Sequence, residues 1–282
     1  MSDLLVDTQW LQDNLGKPGV VLVDCRFSLA DTKAGRRAYD EAHIPGAVYA
    51  DLETDLSGPV TAHSGRHPLP NQDDLAGRFS AWGIDETTQV VAYDDAGGAM
   101  AARLWWLARW LGHRYTALLD GGLGAWLEAG GALEASTPAA GARLFQPRVD
   151  DGLWVSAAEV EAGLEQDRVT LVDARAAERF SGEMEPIDPV AGHVPGAINR
   201  PFTENLDAAG RFRPAAVLRD EFASMLAERS PWQVVHMCGS GVTACHNLLA
   251  MEVAGLPGAR LYAGSWSEWV RDPARAMARG EA

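Results

Sequence analysis

Four short stretches of this chain occur twice, in one order and at nearly one separation. Leu22-Val-Asp-Cys-Arg26 returns as Leu171-Val-Asp-Ala-Arg175, and His43-Ile-Pro-Gly-Ala47 as His193-Val-Pro-Gly-Ala197, 149 and 150 residues later. Val90-Val-Ala-Tyr-Asp94 aligns with Val234-Val-His-Met-Cys238, and Gly121 to Trp126 with Gly264 to Trp269, 144 and 143 residues apart. Ordered self-similarity of this kind marks a repeated structural unit, and 282 residues suffice for two domains of about 150. We read two copies of one domain: 1–137, a linker at 138–152, and 153–282. The stretch from Gly131 to Gly152 is rich in Ala, Gly and Pro and lacks periodicity, which puts the boundary near residue 140.

Each copy carries short apolar runs that end on a polar residue, as buried parallel strands do. Val20–Asp24 and Gln89–Tyr93 are two in the first copy; Val169–Asp173 and Gln233–Met237 are their counterparts. Helical stretches follow, Ala99–Leu111 and Val242–Ala254, each after a glycine-bearing turn. Strands alternating with helices predict an α/β fold, each domain a mostly parallel sheet flanked by helices, with ligands at the carboxyl ends of the strands.

Composition removes several classes of function. With 39 acidic and 24 basic side chains the net charge is -15, which disfavours nucleic acid and anionic membranes as partners. The acidic N-terminal residues do not read as a signal peptide, and the most apolar stretch, Ala99–Leu111, is interrupted by Arg103 and Arg109 and is too short to span a bilayer. Three cysteines, Cys25, Cys238 and Cys245, imply no paired framework, so a reducing, cytoplasmic setting is expected. A small anionic substrate must therefore be attracted locally.

Chemistry is expected at Cys238-Gly-Ser-Gly-Val-Thr-Ala244, between a strand and a helix. Two glycines let successive N–H groups turn inward, and the helix adds its positive end, so the turn makes an anion cradle. Such surroundings favour a thiolate, the nucleophilic form of cysteine, over a thiol. In the first copy Asp94 stands where the second has Cys238, the pattern left when one copy keeps a site and the other loses it. Cys245 and His246 do not have metal-ligand spacing with Cys238, so no metal is expected, and Cys245 reads as a core residue. Trp105, Trp106 and Trp110 fall at helical spacing and read as packing. Ala244 stands where a cysteine-loop phosphatase needs arginine, which excludes dephosphorylation.

These residues resemble the tandem-domain rhodanese-type sulfurtransferases, over essentially the whole chain. The loop Cys238-Gly239-Ser240-Gly241-Val242-Thr243 is similar to the mercaptopyruvate form of that family, the thiosulfate form having Cys-Arg-Lys-Gly-Val-Thr. Asp173 and Arg175, His193 to Ala197, and Gly264 to Trp269 fit the same family. The resemblance implies two tandem rhodanese-like domains, the first inactive and the second catalytic. It implies transfer of a sulfane sulfur from 3-mercaptopyruvate, through a Cys238 persulfide, to cyanide or a thiol acceptor such as a thioredoxin-like protein, with no cofactor. The alternatives are thiosulfate as donor, with the same persulfide, or a non-enzymatic persulfide carrier.

Within that resemblance Ser240 supplies a proton to the leaving enolate, supported by His67 of Arg66-His-Pro-Leu-Pro70 and by an acid such as Glu53. Gly239, Gly241, Val242 and Thr243 contact the substrate through the loop, and Arg179 matches one substrate arginine. The second substrate arginine belongs to a Glu-Pro-Arg element, but here Glu185-Pro186 is followed by Ile187; Arg200, Arg211 and Arg213 are the candidates to replace it. Arg175 and Asp173 are expected to pair with neighbours beneath the loop rather than to touch substrate.

Overall fold

A computed structural model describes residues 4–136 and 141–280. The chain forms two compact units, and the division is not a single cut. The first comprises Met1–Gly58, Leu69–Asp150 and Ala208–Arg211; the second comprises Pro59–Pro68, Asp151–Asp207 and Phe212–Ala282. The boundary expected near residue 140 lies outside the described residues. Residues 143–150 are not a free linker: Arg143 and Phe145 donate their N–H groups to Ser80, and Arg148 and Asp150 theirs to the carbonyls of Leu111 and Trp110. Phe145 is buried against Phe79.

The first unit runs β1 (Leu5–Val6), α1 (Thr8–Asn14), β2 (Val20–Asp24), α2 (Ala34–Glu41), β3 (Val48–Tyr49), α3 (Gln72–Ala81), β4 (Gln89–Tyr93), α4 (Ala101–Trp110), β5 (Thr116–Leu119) and α5 (Gly122–Glu128). The second runs β6 (Trp154–Val155), α6 (Ala157–Glu165), β7 (Thr170–Asp173), α7 (Ala177–Ser181), β8 (Ile198–Asn199), α8 (Ala215–Leu226), β9 (Val234–Met237), α9 (Ala244–Val253), β10 (Arg260–Tyr262) and α10 (Ser265–Trp269). Both sheets are parallel, in the orders β1-β5-β4-β2-β3 and β6-β10-β9-β7-β8, so the second repeats the first strand for strand. Among the described residues no helix is long and apolar enough to cross a membrane.

The elements form where apolar runs meet local start signals. Asn71 caps α3 by accepting the N–H groups of Asp73 and Asp74, and Ser156 with Glu159 makes a capping box on α6. In α4 Trp105 and Trp106 pack into the core together with Arg103, which places this helix inside the unit rather than on its surface. The expected helices at 99–111 and 242–254 begin two residues later, because the preceding N–H groups belong to the turn. Gln233 lies outside β9, in a 3-10 turn where its side chain accepts the Ser230 N–H.

Candidate active site

Cys238 is the first residue after β9, buried at the carboxyl edge of the sheet. The Ser240 N–H points at its Sγ, 3.5 Å away. From below, the N–H groups of Trp266 and Ser267 at the start of α10 donate to the carbonyls of Cys238 and Gly239 at 3.0 and 2.9 Å. Ser265 holds a left-handed backbone (φ 54), rare for serine, with its hydroxyl donating to the Tyr262 carbonyl and accepting the Cys238 N–H. Gly241 has φ +75, and a Cβ there would lie 2.4 Å from the Ala263 carbonyl oxygen, so the turn requires glycine twice over. Cys245 closes it by donating its thiol to the Gly241 carbonyl (3.3 Å). His246 stacks on Phe212 and accepts from Asn205.

The equivalent turn in the first unit displays what such a loop binds. Asp94 follows β4, and its carboxylate accepts four backbone N–H groups, from Ala96, Gly98, Met100 and Ala101, at 2.8–2.9 Å. An anionic side chain thus fills that cradle. Nearby Cys25 is buried, and burial together with Asp94, Asp24 and Asp55 pushes its thiol well above the usual range; a thiol so placed is a poor nucleophile.

Around Cys238 the second unit gathers three of the expected residues. Ser240 Oγ lies 2.7 Å from His67 Nδ1, both side chains buried. His67 is delivered by the segment Pro59–Pro68, held by the Arg66 N–H donating to Ser267 Oγ (3.0 Å) and by Gly65, where a Cβ would lie 2.4 Å from the Gly264 carbonyl oxygen. Arg179, on α7, turns its guanidinium over Gly239. Val242 is buried in the loop and Thr243 is half-buried at the start of α9. Glu53 belongs to the first unit, where it is exposed.

Arg175 behaves as expected, forking onto Asp173 (2.6–3.1 Å), donating to the Gly192 carbonyl and lying 4.8 Å over the Trp266 ring. Arg26 repeats this on Asp24 and the Ala42 carbonyl in the first unit. Of the three candidates for a second substrate arginine, the two in the second unit have their side chains engaged with neighbouring acids. Arg200 is engaged with Asn205 and Glu221 over the Phe222 ring, Arg213 with Glu204 and Glu221, and Arg211 belongs to the first unit beside Gly121. Arg66 stands at the loop, its guanidinium beside that of Arg179 and joined to it through Asp188. Burial raises the Asp188 carboxyl, and Glu185 adds to this, while Arg66 and Arg179 pull it down. Burial also opposes ionisation of Glu185, but donors from Arg179, Asp188 and Ile187 bring its carboxyl below the ordinary range.

The second unit therefore carries a thiol at a strand end, backed by N–H groups and faced by a hydroxyl–imidazole pair and two guanidiniums. That defines a duplicated α/β protein with a cysteine-bearing loop in one copy, a turn whose inward N–H groups suit a small anion. The chain belongs to the rhodanese family, whose rhodanese-like domain model matches residues 7–129 and 156–272. It is 51% identical to a probable 3-mercaptopyruvate sulfurtransferase of Pseudomonas aeruginosa over 98% of both chains. It is 40% identical to a putative thiosulfate sulfurtransferase of Mycobacterium tuberculosis over 93% of this chain and 92% of the relative. Among solved structures, the 3-mercaptopyruvate sulfurtransferase SseA of Escherichia coli superposes with a TM-score of 0.82 at 28% identity, covering 95% of this chain and all of that one.

Proposed function

We propose that the protein is a sulfurtransferase using 3-mercaptopyruvate as donor and Cys238 as the sulfur-carrying nucleophile. The Cys238 thiolate attacks the donor's thiol sulfur; an S–S bond forms as the donor's C–S bond breaks, and the electron pair leaves on the pyruvate enolate. The proton of the donor's thiol is matched by one delivered to the enolate carbon, so the products are pyruvate and a Cys238 persulfide anion. When His67 Nδ1 carries its proton it donates to Ser240 Oγ, which frees the serine hydroxyl hydrogen to face the enolate. An acceptor then attacks the outer sulfur and the Cys238 thiolate departs. That acceptor is cyanide or a thiol, a thioredoxin-like protein among them, and a reducing cytoplasm, which keeps thiols unbridged, suits the cycle.

The observation that carries the donor assignment is the Ser240–His67 hydrogen bond beside the thiol: a proton is needed when an enolate leaves, whereas sulfite leaving from thiosulfate needs none. The names of the relatives in Pseudomonas and Escherichia support the same reading. Measuring kcat/KM for both donors with cyanide as acceptor tests it, and a strong preference for thiosulfate overturns it. Mass spectrometry of the donor-treated protein tests the nucleophile: the gain of one sulfur atom persists in Cys25→Ser and Cys245→Ser and is absent in Cys238→Ser.

A further inference from the structure

We propose that Arg66 is the second arginine that binds the donor's carboxylate, alongside Arg179, with Asp188 as the brace between them. The inference deepens the reading above and rests on it. A Cβ placed on Gly239 would lie 2.8 Å from Arg66 Nη2 and 3.5 and 3.6 Å from Arg179 Nη1 and Nη2. Both guanidiniums thus cover the residue next to the nucleophile, and glycine there leaves the space open.

The decisive feature is which donors are already engaged. Arg66 gives Nη1 to Asp188 Oδ1, while among the described residues its Nε is buried without a partner and no hydrogen bond leaves its Nη2. Arg179 gives Nε and Nη2 to Glu185 and Nη2 to Asp188 Oδ2, and its Nη1 makes no bond among the described residues. A buried N–H left unpaired is costly unless a ligand completes it. Arg66 Nη2 and Arg179 Nη1 both stand beside Gly239, and a carboxylate, with two oxygens and about four acceptor sites, is the group that can take a donor from each guanidinium. Asp188 holds one oxygen on each arginine and so sets their spacing.

The charges in the cluster cancel: Arg66, Arg175 and Arg179 stand against Asp173, Glu185 and Asp188. Recognition then relies on directed N–H groups rather than on surplus positive charge, which suits a monocarboxylate within a chain of net charge -15. Ile187, at the position where the resemblance expects the arginine, is exposed. The missing charge is supplied by Arg66, the residue next to His67.

Two measurements test the proposal. In protein carrying Cys238→Ser, which binds without turnover, calorimetric titration with 3-mercaptopyruvate and with pyruvate should weaken by about 10–100-fold on adding Arg66→Met and by less on adding Arg66→Lys, as expected for losing hydrogen bonds to a charged group. In otherwise wild-type protein Arg66→Met should raise KM for 3-mercaptopyruvate far more than it lowers kcat. With 1-mercaptopropan-2-one, the same thiol and ketone without the carboxylate, kcat/KM should change by less than about 3-fold, the scale of a non-specific perturbation. Equal losses on both donors, or affinities unchanged by Arg66→Met, overturn the clamp. If the wild-type protein fails to turn over 3-mercaptopyruvate, the functional reading falls, and the pyruvate titration still decides the clamp: no binding, or no dependence on Arg66, overturns it. Circular dichroism and melting of both variants separate loss of fold from loss of binding.

Discussion

Gly241→Ala attacks the cysteine loop through its backbone, and the structure sets the size of the effect. The left-handed φ of +75 costs a side-chain-bearing residue about 1–2 kcal/mol. The new Cβ would also lie 2.4 Å from the Ala263 carbonyl oxygen and 3.0 Å from two further backbone atoms, so the loop or β10 must move; overpacking of this kind costs about 1–3 kcal/mol. The sum, about 2–5 kcal/mol, corresponds to a fall in Tm of about 4–20 °C at roughly 2–4 °C per kcal/mol. Gly196→Ala is the matched control, since its φ is +81 but nothing lies within 4 Å of the added carbon; it should lose only the first contribution and keep full turnover. Differential scanning calorimetry with sulfur-transfer assays on the folded fraction reads both quantities. Because displacing the loop moves the Ser240 N–H from the Cys238 sulfur, Gly241→Ala should lose about 100-fold or more in kcat, the order of a single lost transition-state donor. If Gly241→Ala and Gly196→Ala melt and turn over alike, the steric account of the loop is wrong.

His236, buried in β9, is pushed down to about 3 by burial, with Arg200 adding to the shift. Its neutral form is favoured in the fold, so stability is fully present above about pH 6.5 and lost as pH falls towards about 3, at up to about 1.4 kcal/mol per pH unit; His236→Met should flatten the urea-unfolding profile in that window, and an unchanged slope would count against it. Asp188→Asn removes one negative charge from the balanced cluster, so the ratio of kcat/KM for thiosulfate to that for 3-mercaptopyruvate should rise about tenfold or more, as for loss of one close charge partner. An unchanged ratio would show that charge balance does not set donor choice.

How much of the fold is legible in the sequence follows from the range of each interaction. β2 and β4 were legible to the residue because both are buried apolar runs in the middle of a sheet. The edge strands β1, β3, β6 and β8 have two residues each, too short to carry a periodic signal, and exist because a neighbouring strand offers a ladder. The Cys238 turn was legible because glycines, thiol and helix start lie within one heptapeptide. Arg66 was not, since what makes it functional is its pairing with Asp188, 122 residues away, and no local pattern encodes that. Arg200 and Arg213 were plausible for want of knowing that Glu221 holds both. Residues 143–150 looked like linker because their hydrogen bonds run through the backbone, to which composition is blind.

The four N–H groups on the Asp94 carboxylate make the first unit a built-in reference for the second. Duplication left one turn permanently sated by its own side chain and the other hungry. In the filled turn the four N–H groups are taken up by the chain's own carboxylate. The turn with Cys238 has no carboxylate at that position, and under the proposed function that stabilisation is supplied when sulfur chemistry puts negative charge at the same point. Under the proposed function the persulfide cycle makes transient in the second unit the anion contact that the first unit keeps throughout its folded state.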